Sequence, residues 1–324
     1  MIDNTVNKKL TPIRFAAVVF GFAVLGMTGW YMAADREVND LDDAARKSLG
    51  GTYVALPDGV TSYELAGPSD GPVVVLIHGA TIPAWDWDFQ MDDLVTAGFR
   101  VLRYDKFGRG RSDRPNVEYD RDLYLRQLVE LLDALGLKDP VDLVGHSMGG
   151  ATATNFTAIH PKRVRSLVLL SPVVDSVDTR APFIICGIPI LGPFLVRAVM
   201  VDTLTDRAAN LWKAAGKDSD RYERLFVRQT TYEGFERSVI SMFRTDAVGD
   251  YRDAYRRVGE LKKSVMLIWG TGDEDITRED VDFVQQVIPD LRLRVLDGAG
   301  HSPNVDARER FNPLLLDFLS RSVD

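Results

Sequence analysis

Between residues 52 and 105 the chain alternates short apolar runs with polar punctuation. "TYVAL" (52–56) and "TSYELAG" (61–67) flank "PDG", where Pro and Gly suit a tight turn, so the pair predicts a hairpin. "PVVVLIHG" (72–79) and "FRVLRYD" (99–105) are runs rich in β-branched and other apolar residues, the pattern of strands covered on both faces. "WDFQMDDLVTAG" (87–98) has helical spacing and ends on Gly98. "RDLYLRQLVELLDALG" (121–136) carries Leu123, Leu128, Leu131, Leu132 and Leu135 along one stripe, an amphipathic helix. "VDLVGHS" (141–147), "VRSLVLLSP" (164–172), "SVMLIWG" (264–270) and "LRLRVLDG" (291–298) predict four more strands. Strands alternating with helices imply an α/β fold, a mostly parallel sheet covered on both sides.

The alternation breaks once, between Pro172 and about Glu260. That stretch is helix-like and lacks strong strand runs, so 173–259 is expected as a helical cap or lid. It should lie over the carboxyl ends of the strands, where open α/β sheets bind ligands. The core is then 51–172 with 260–324. The most apolar part of the insertion, "APFIICGIPILGPFLVRAVMV" (181–201), is punctuated by Pro182, Gly187, Pro189, Gly192 and Pro193. It is too broken for a membrane span and reads as a packed segment or as a lid lining an acyl channel.

The N-terminus follows another pattern. "FAAVVFGFAVLGMTGWYMAA" (15–34) has no charge and as a helix reaches about 30 Å, the thickness of a bilayer's hydrocarbon core. Trp30 and Tyr31 sit near one end, where amphipathic rings favour the interface. Residues 15–34 are expected as a single-pass transmembrane signal anchor. Lys8, Lys9 and Arg14 precede it and an acidic stretch follows. Residues 1–14 are therefore expected on the cytoplasmic side, with 35–50 as a linker and the catalytic domain on the non-cytoplasmic side. A cleaved signal peptide fits less well, because Met32-Ala33-Ala34 is a poor cleavage site, and a buried helix of a soluble protein is the third reading.

Bulk properties narrow the partners. A chain of 324 residues with 45% hydrophobic residues can build a full core. Its net charge of −8 gives no footprint for nucleic acid. The single cysteine, Cys186, excludes an internal disulfide and reads as a packing residue. The four histidines show no metal-ligand spacing, so no metal and no cofactor is expected.

Chemistry concentrates in "GHSMG" (145–149), a G-x-S-x-G pentapeptide between a strand and a helix. A strand turning abruptly into a helix brings backbones together, and only glycine fits at Gly145 and Gly149. The turn lifts the Ser147 hydroxyl to the sheet edge and aims the first helix amides at it. A serine nucleophile needs a base. His301, in "LDGAGHSP" after the last strand, is the candidate. His78 and His160 read as structural, and His146 is expected to point elsewhere. The base needs an orienting acid, and "LIWGTGDEDI" offers Asp273, with Asp275 in reserve. Oxyanion donors are expected from the backbone N–H groups of Ala80 and Met148.

These segments occur in one order: "LIHGA", "YDKFGRGRSDRP", "VGHSMGG", "VRSLVLLSP", "LIWGTGDEDI" and "DGAGHSP". In that order, over about residues 52–324, the chain resembles the α/β-hydrolase fold family. The resemblance implies a triad of Ser147, Asp273 and His301, with an oxyanion hole at Ala80 and Met148. It also implies a structural role for Asp105 in the "DKFGRGRSDRP" loop. Serine at 147 departs from dehalogenase-like and epoxide hydrolase-like members, which carry aspartate. "HGA" with "GHSMGG" is similar to monoacylglycerol lipases and related carboxylesterases, and also to hydrolases of carbon–carbon bonds. "ATIPAWDWDF" lacks a second glycine, which leaves the roles of Trp85 and Trp87 open between packing and substrate contact.

The expected activity is that of a membrane-anchored serine hydrolase of lipid-like or other acyl esters, with a small-molecule ester and membrane lipid as partners and an acyl-enzyme intermediate. One alternative is a carbon–carbon bond hydrolase of the meta-cleavage type, acting on a vinylogous diketone acid. Its carboxylate would want a cap arginine near the pocket, and a membrane anchor suits so soluble a substrate poorly. The other alternative is a non-catalytic, membrane-tethered interaction protein on the same scaffold.

Overall fold

A computed structural model of the chain describes residues 12–176, 184, 186, 188–216 and 218–321. Eight strands form one sheet: β1 (Thr52–Leu56), β2 (Gly59–Ala66), β3 (Val73–Ile77), β4 (Arg100–Tyr104), β5 (Val141–His146), β6 (Val164–Leu170), β7 (Ser264–Gly270) and β8 (Arg292–Leu296). Their order is β1-β2-β4-β3-β5-β6-β7-β8. The β1–β2 and β2–β4 pairs are antiparallel and the rest are parallel, as in Val75 beside Leu102 on one flank and Leu143 on the other. Val74 to Ile77 are fully buried, which is why this strand reads as one apolar run rather than an alternating one. The chain leaves β3 toward one edge for β4 and toward the other for β5. That switch opens a crevice beyond the strand ends, beside the residues that follow β3 and β5.

Helices cover both faces. The expected helix at 121–136 is α4 (Arg121–Ala134), capped by the Asp120 side chain accepting from the Leu123 N–H and ended before Gly136 in a left-handed conformation. The helical pattern at 87–98 divides into a 3-10 turn (Ala84–Trp87) and α3 (Met91–Thr96). Trp87 is fully buried there, and Gln90 reaches away to bond Asn304 and Asn312, so side-chain anchoring overrides a continuous helix. Helix α5 (Met148–Ile159) follows β5 directly.

Between β6 and β7 the described residues form helices, here termed the cap. They are α6 (Leu191–Leu195), continued by a π turn (Val196–Met200) into α7 (Val201–Ala214), then α8 (Ser219–Thr230), α9 (Phe235–Arg244) and α10 (Arg252–Glu260). The last packs on the core beside α5, where Tyr255 donates to the Val173 carbonyl. Within the apolar stretch 181–201, residues 181–183, 185 and 187 lie outside the described residues, and Met200 lines the main cavity. Helices α11 (Arg278–Val287), α12 (Pro303–Asp306) and α13 (Arg308–Ser320) complete the fold.

Helix α1 (Pro12–Ala33) projects from this body and is long and apolar enough to cross a membrane. Phe20, Phe22, Leu25 and Met32 on it are exposed. Its last turn meets the cap: Trp30 lies edge-on to Phe194 at 5.2 Å, and the Arg197 guanidinium sits 4.2 Å over the Tyr31 ring. The following residues act as a strap along the cap and lead into α2 (Asp43–Leu49). The N–H groups of Val38 and Asn39 both donate to the Thr231 carbonyl, and Glu37 accepts from the N–H groups of Gly234 and Glu236. Residues 1–11, the bulk of the expected cytoplasmic segment, lie outside the described residues.

Candidate active site

The strand–helix turn at Ser147 is as tight as the glycines require. A Cβ on Gly145 would stand 2.3 Å from the Gly149 carbonyl oxygen, and one on Gly149 would stand 2.1 Å from that of Ile77. Ser147 itself is held at φ 54° and ψ −122°, a conformation L-residues avoid and one that costs of order 1–3 kcal/mol. Its carbonyl anchors the turn by accepting from Gly150, Ala151 and Val173.

Ser147 and His301 line one cavity of about 370 Å³ at the crevice. His301 Nδ1 lies 2.9 Å from Asp273 Oδ1, which also accepts from the N–H groups of Asp275 (2.9 Å) and Ile276 (3.0 Å). Burial pushes the Asp273 carboxyl up. The His301 hydrogen bond and charge, the Ile276 N–H and the nearby Ser171 hydroxyl outweigh it and hold the group below its ordinary value. Asp275, the reserve acid, stands on the other side of the ring, with Oδ2 3.8 Å from His301 Nε2. It pairs with Arg207 at 2.5 Å. Asp273, Asp275 and His301 each place a possible metal-ligand atom within 4.8 Å of the others. Asp273 Oδ1 already accepts three hydrogen bonds, and Asp275 pairs with Arg207.

Ala80 and Met148 also line the cavity, and among the described residues neither N–H donates to a protein acceptor. The loop carrying Ala80 is braced from beneath. Buried Arg109 donates from Nε to the Ala80 carbonyl and from Nη1 to Ser238 of α9, and Gln229 of α8 donates to the Thr81 carbonyl. Asp105 accepts from the N–H groups of Ala84 and Arg111, the structural role expected of it. Trp85 packs against Trp212 and Tyr222 of the cap, and Trp87 lies edge-on to His146. His78 is buried and accepts from the Lys106 N–H through Nε2. Its pKa falls well below the ordinary value, through burial and the nearby Lys106.

The match is not confined to motif order. The family model described as the alpha/beta hydrolase family matches residues 74–314. The chain belongs to the alpha/beta hydrolase family. It is a hydrolase, and its curated relatives include hydrolases of one substrate type. The 2-hydroxy-6-oxo-6-phenylhexa-2,4-dienoate hydrolase of Comamonas testosteroni is 27% identical over 82% of this chain and 92% of its own length. The 2-hydroxy-6-oxononadienedioate/2-hydroxy-6-oxononatrienedioate hydrolase of Burkholderia vietnamiensis is 30% identical over 76% of this chain and 87% of its own. Among solved structures, the enol-lactonase of Burkholderia xenovorans superposes with a TM-score of 0.67 at 24% identity, covering 83% of this chain and all of that one, a likeness of fold.

Two features of the site were not singled out from sequence. Arg207 of α7 is the one arginine or lysine among the described lining residues. Its neighbours Leu204, Ala208 and Leu211 line the same wall, at the helical spacing that would have put all four on one face. His146, expected to point elsewhere, lines the cavity and bonds the backbone of His301. Adjacency to the nucleophile was the available signal. The elbow geometry turns His146 under the histidine loop, and only the fold reveals that.

Proposed function

We propose that the chain hydrolyses a carbon–carbon bond beside a ketone in a small, carboxylate-bearing dienoate, with Ser147, His301 and Asp273 as its triad. The observation that carries this reading is Arg207, a cap guanidinium in the wall of the Ser147 cavity. The substrates in the relatives' names are 2-hydroxy-6-oxo acids, with a carboxylate at one end and a ketone further along. Arg207 offers a planar fork for the carboxylate, which would displace Asp275 from it. The apolar wall formed by Leu204, Ala208, Leu211 and Phe243 suits the unsaturated chain and the ketone substituent.

In this reading His301 takes the Ser147 proton as Oγ adds to the ketone carbon. The Ala80 and Met148 amides receive the oxyanion. Asp273 fixes the imidazole tautomer and stabilises its charged form. When the tetrahedral centre collapses, the carbon–carbon bond breaks. The bond breaks from the 2-oxo tautomer, in which the enol proton has moved to the carbon being released, so its electron pair passes through the enone to the C2 oxygen, which takes up the proton held by His301. Water, deprotonated by the same histidine, then releases the acyl group as a carboxylic acid.

The test sets a 2-hydroxy-6-oxo-dienoate, followed by loss of its absorbance, against p-nitrophenyl esters from acetyl to decanoyl. The dienoate should give the higher kcat/KM. Arg207→Ala should raise its KM by about 10-fold or more with kcat little changed, the signature of lost uniform binding, and leave neutral esters nearly unaffected. The apolar cavity wall favours a second reading, an esterase for acyl chains. Ester turnover that exceeds the dienoate and climbs toward decanoyl would establish it instead.

A further inference from the structure

Behind the Ser147 group lies a second histidine–carboxylate pair for which the mechanism above has no role. His146 is 4% exposed and Asp86 is fully buried. His146 Nδ1 lies 2.7 Å from Asp86 Oδ2, and Nε2 lies 2.9 Å from the backbone carbonyl oxygen of His301. A carbonyl oxygen only accepts, so Nε2 carries a proton. An ionised carboxylate also only accepts, so Nδ1 carries one too. The site is therefore shaped for an imidazolium. Burial works to lower the pKa of the ring, but the Asp86 charge and hydrogen bond and the His301 carbonyl prevail, with help from Asp273, and it stands above its ordinary value. The titratable groups facing the ring are Asp86, Asp273, Asp306, His78 and His301.

Asp86 is itself fixed. Asn304 Nδ2 donates to the Asp86 carbonyl at 2.7 Å and to Oδ1 at 3.2 Å, and Gln90 donates to the Asn304 carbonyl at 2.9 Å. One buried network thus ties three separate segments: the loop running on from Ala80, the elbow at Ser147 and the loop carrying His301. A neutral amide or an apolar residue would fill the same space without joining all three.

We propose that His146 is a positioning residue: its protonated ring, clamped between Asp86 and the His301 carbonyl, sets where the His301 ring stands against Ser147. The proposal rests on the reading of Ser147 and His301 as nucleophile and base. When His146 loses a proton, its Nδ1–H stays on the Asp86 carboxylate, the stronger acceptor, and the bare Nε2 lone pair faces the His301 carbonyl oxygen. The clamp is then strained, and Ser147 becomes less reactive.

The experiment measures the rate of fluorophosphonate labelling against pH on the full-length, detergent-solubilised enzyme, together with 15N-histidine spectra, which four histidines keep simple. The variants are His146→Leu, His146→Gln, Asp86→Asn and the control Ser147→Ala. Displacing His301 by a fraction of an ångström should slow labelling about 100-fold in His146→Leu, and one retained N–H donor should restore about tenfold of that in His146→Gln. Wild-type labelling should fall at pH values above the ordinary histidine range, a limb that His146→Gln lacks. The His301 Nδ1–H resonance should move in His146→Leu, His146→Gln and Asp86→Asn. A folded His146→Leu that labels at the wild-type rate overturns the proposal. So does a His146→Gln that keeps the wild-type pH profile and an unmoved His301 resonance, and this variant decides the matter if His146→Leu does not fold. Labelling that persists in Ser147→Ala removes the nucleophile assignment and this proposal together. Lost labelling in Ser147→Ala beside unaffected His146 variants removes this proposal alone.

Discussion

Gly149 illustrates how little freedom the site leaves. Its Cα passes so close to the β3 backbone that an added methyl would overlap the Ile77 carbonyl, and neither main chain can retreat without moving Ser147. Gly149→Ala should therefore cost about 2–3 kcal/mol of stability, measured by urea unfolding, and should lower turnover beyond what the loss of folded protein explains. In the proposed mechanism the Ser147 hydroxyl supplies the bond-forming atom and nothing to the core, so Ser147→Ala should lower turnover by about 10⁴-fold or more with the fold intact. Asp273 adds a pH signature. Its carboxyl is depressed in the fold, so its contribution to stability is present above the ordinary value of 3.8 and is lost as pH falls through the lower folded value. An acid-unfolding titration of Asp273→Asn should lack that component.

Among the elements, the eight strands were legible because each is a continuous apolar run or an alternating one, and local periodicity is enough to mark them. The nearness of Ser147, Asp273 and His301 was legible for a related reason. Each comes within five residues of the end of a strand, so chain order sets them along one edge. Arg207, Arg109 and the His146–Asp86 pair were not, since their partners lie up to 218 residues away, in segments with no shared pattern. The break in the helix at 87–98 was missed for the same cause: Gln90 is held by Asn304 and Asn312, not by its own neighbours. The strap carries a titration of its own. Burial, joined by Glu37 and Asp35, pushes Glu236 up to about 7 against the pull of Arg197. A carboxyl raised in the fold stabilises fully below its ordinary 4.5 and loses that contribution as pH rises through about 7. Hydrogen exchange of residues 35–39 should accelerate between about pH 4.5 and pH 7 beyond the intrinsic base catalysis and level off above, and Glu236→Gln should abolish the excess.

For the protein entire, we propose that α1 anchors it in a membrane as a single pass. Of the 20 positions from Arg14 to Ala33 only Arg14 is charged, and none of the apolar window is buried against the body, a length of apolar surface that water disfavours. The protein should stay with the membrane fraction through a carbonate wash, and deletion of residues 1–34 should release a soluble, active enzyme. Release by carbonate alone would dismiss the anchor and leave the catalytic reading untouched.

The strap also bears on how substrate enters. Residues 35–39 are bonded to Thr231, Glu233, Gly234 and Glu236, all of the cap. With α1 embedded as proposed, the lipid would hold the cap directly, so any opening of the cleft would leave that roof in place and carry the sheet and Ser147 away from it, like a hull dropping from its deck.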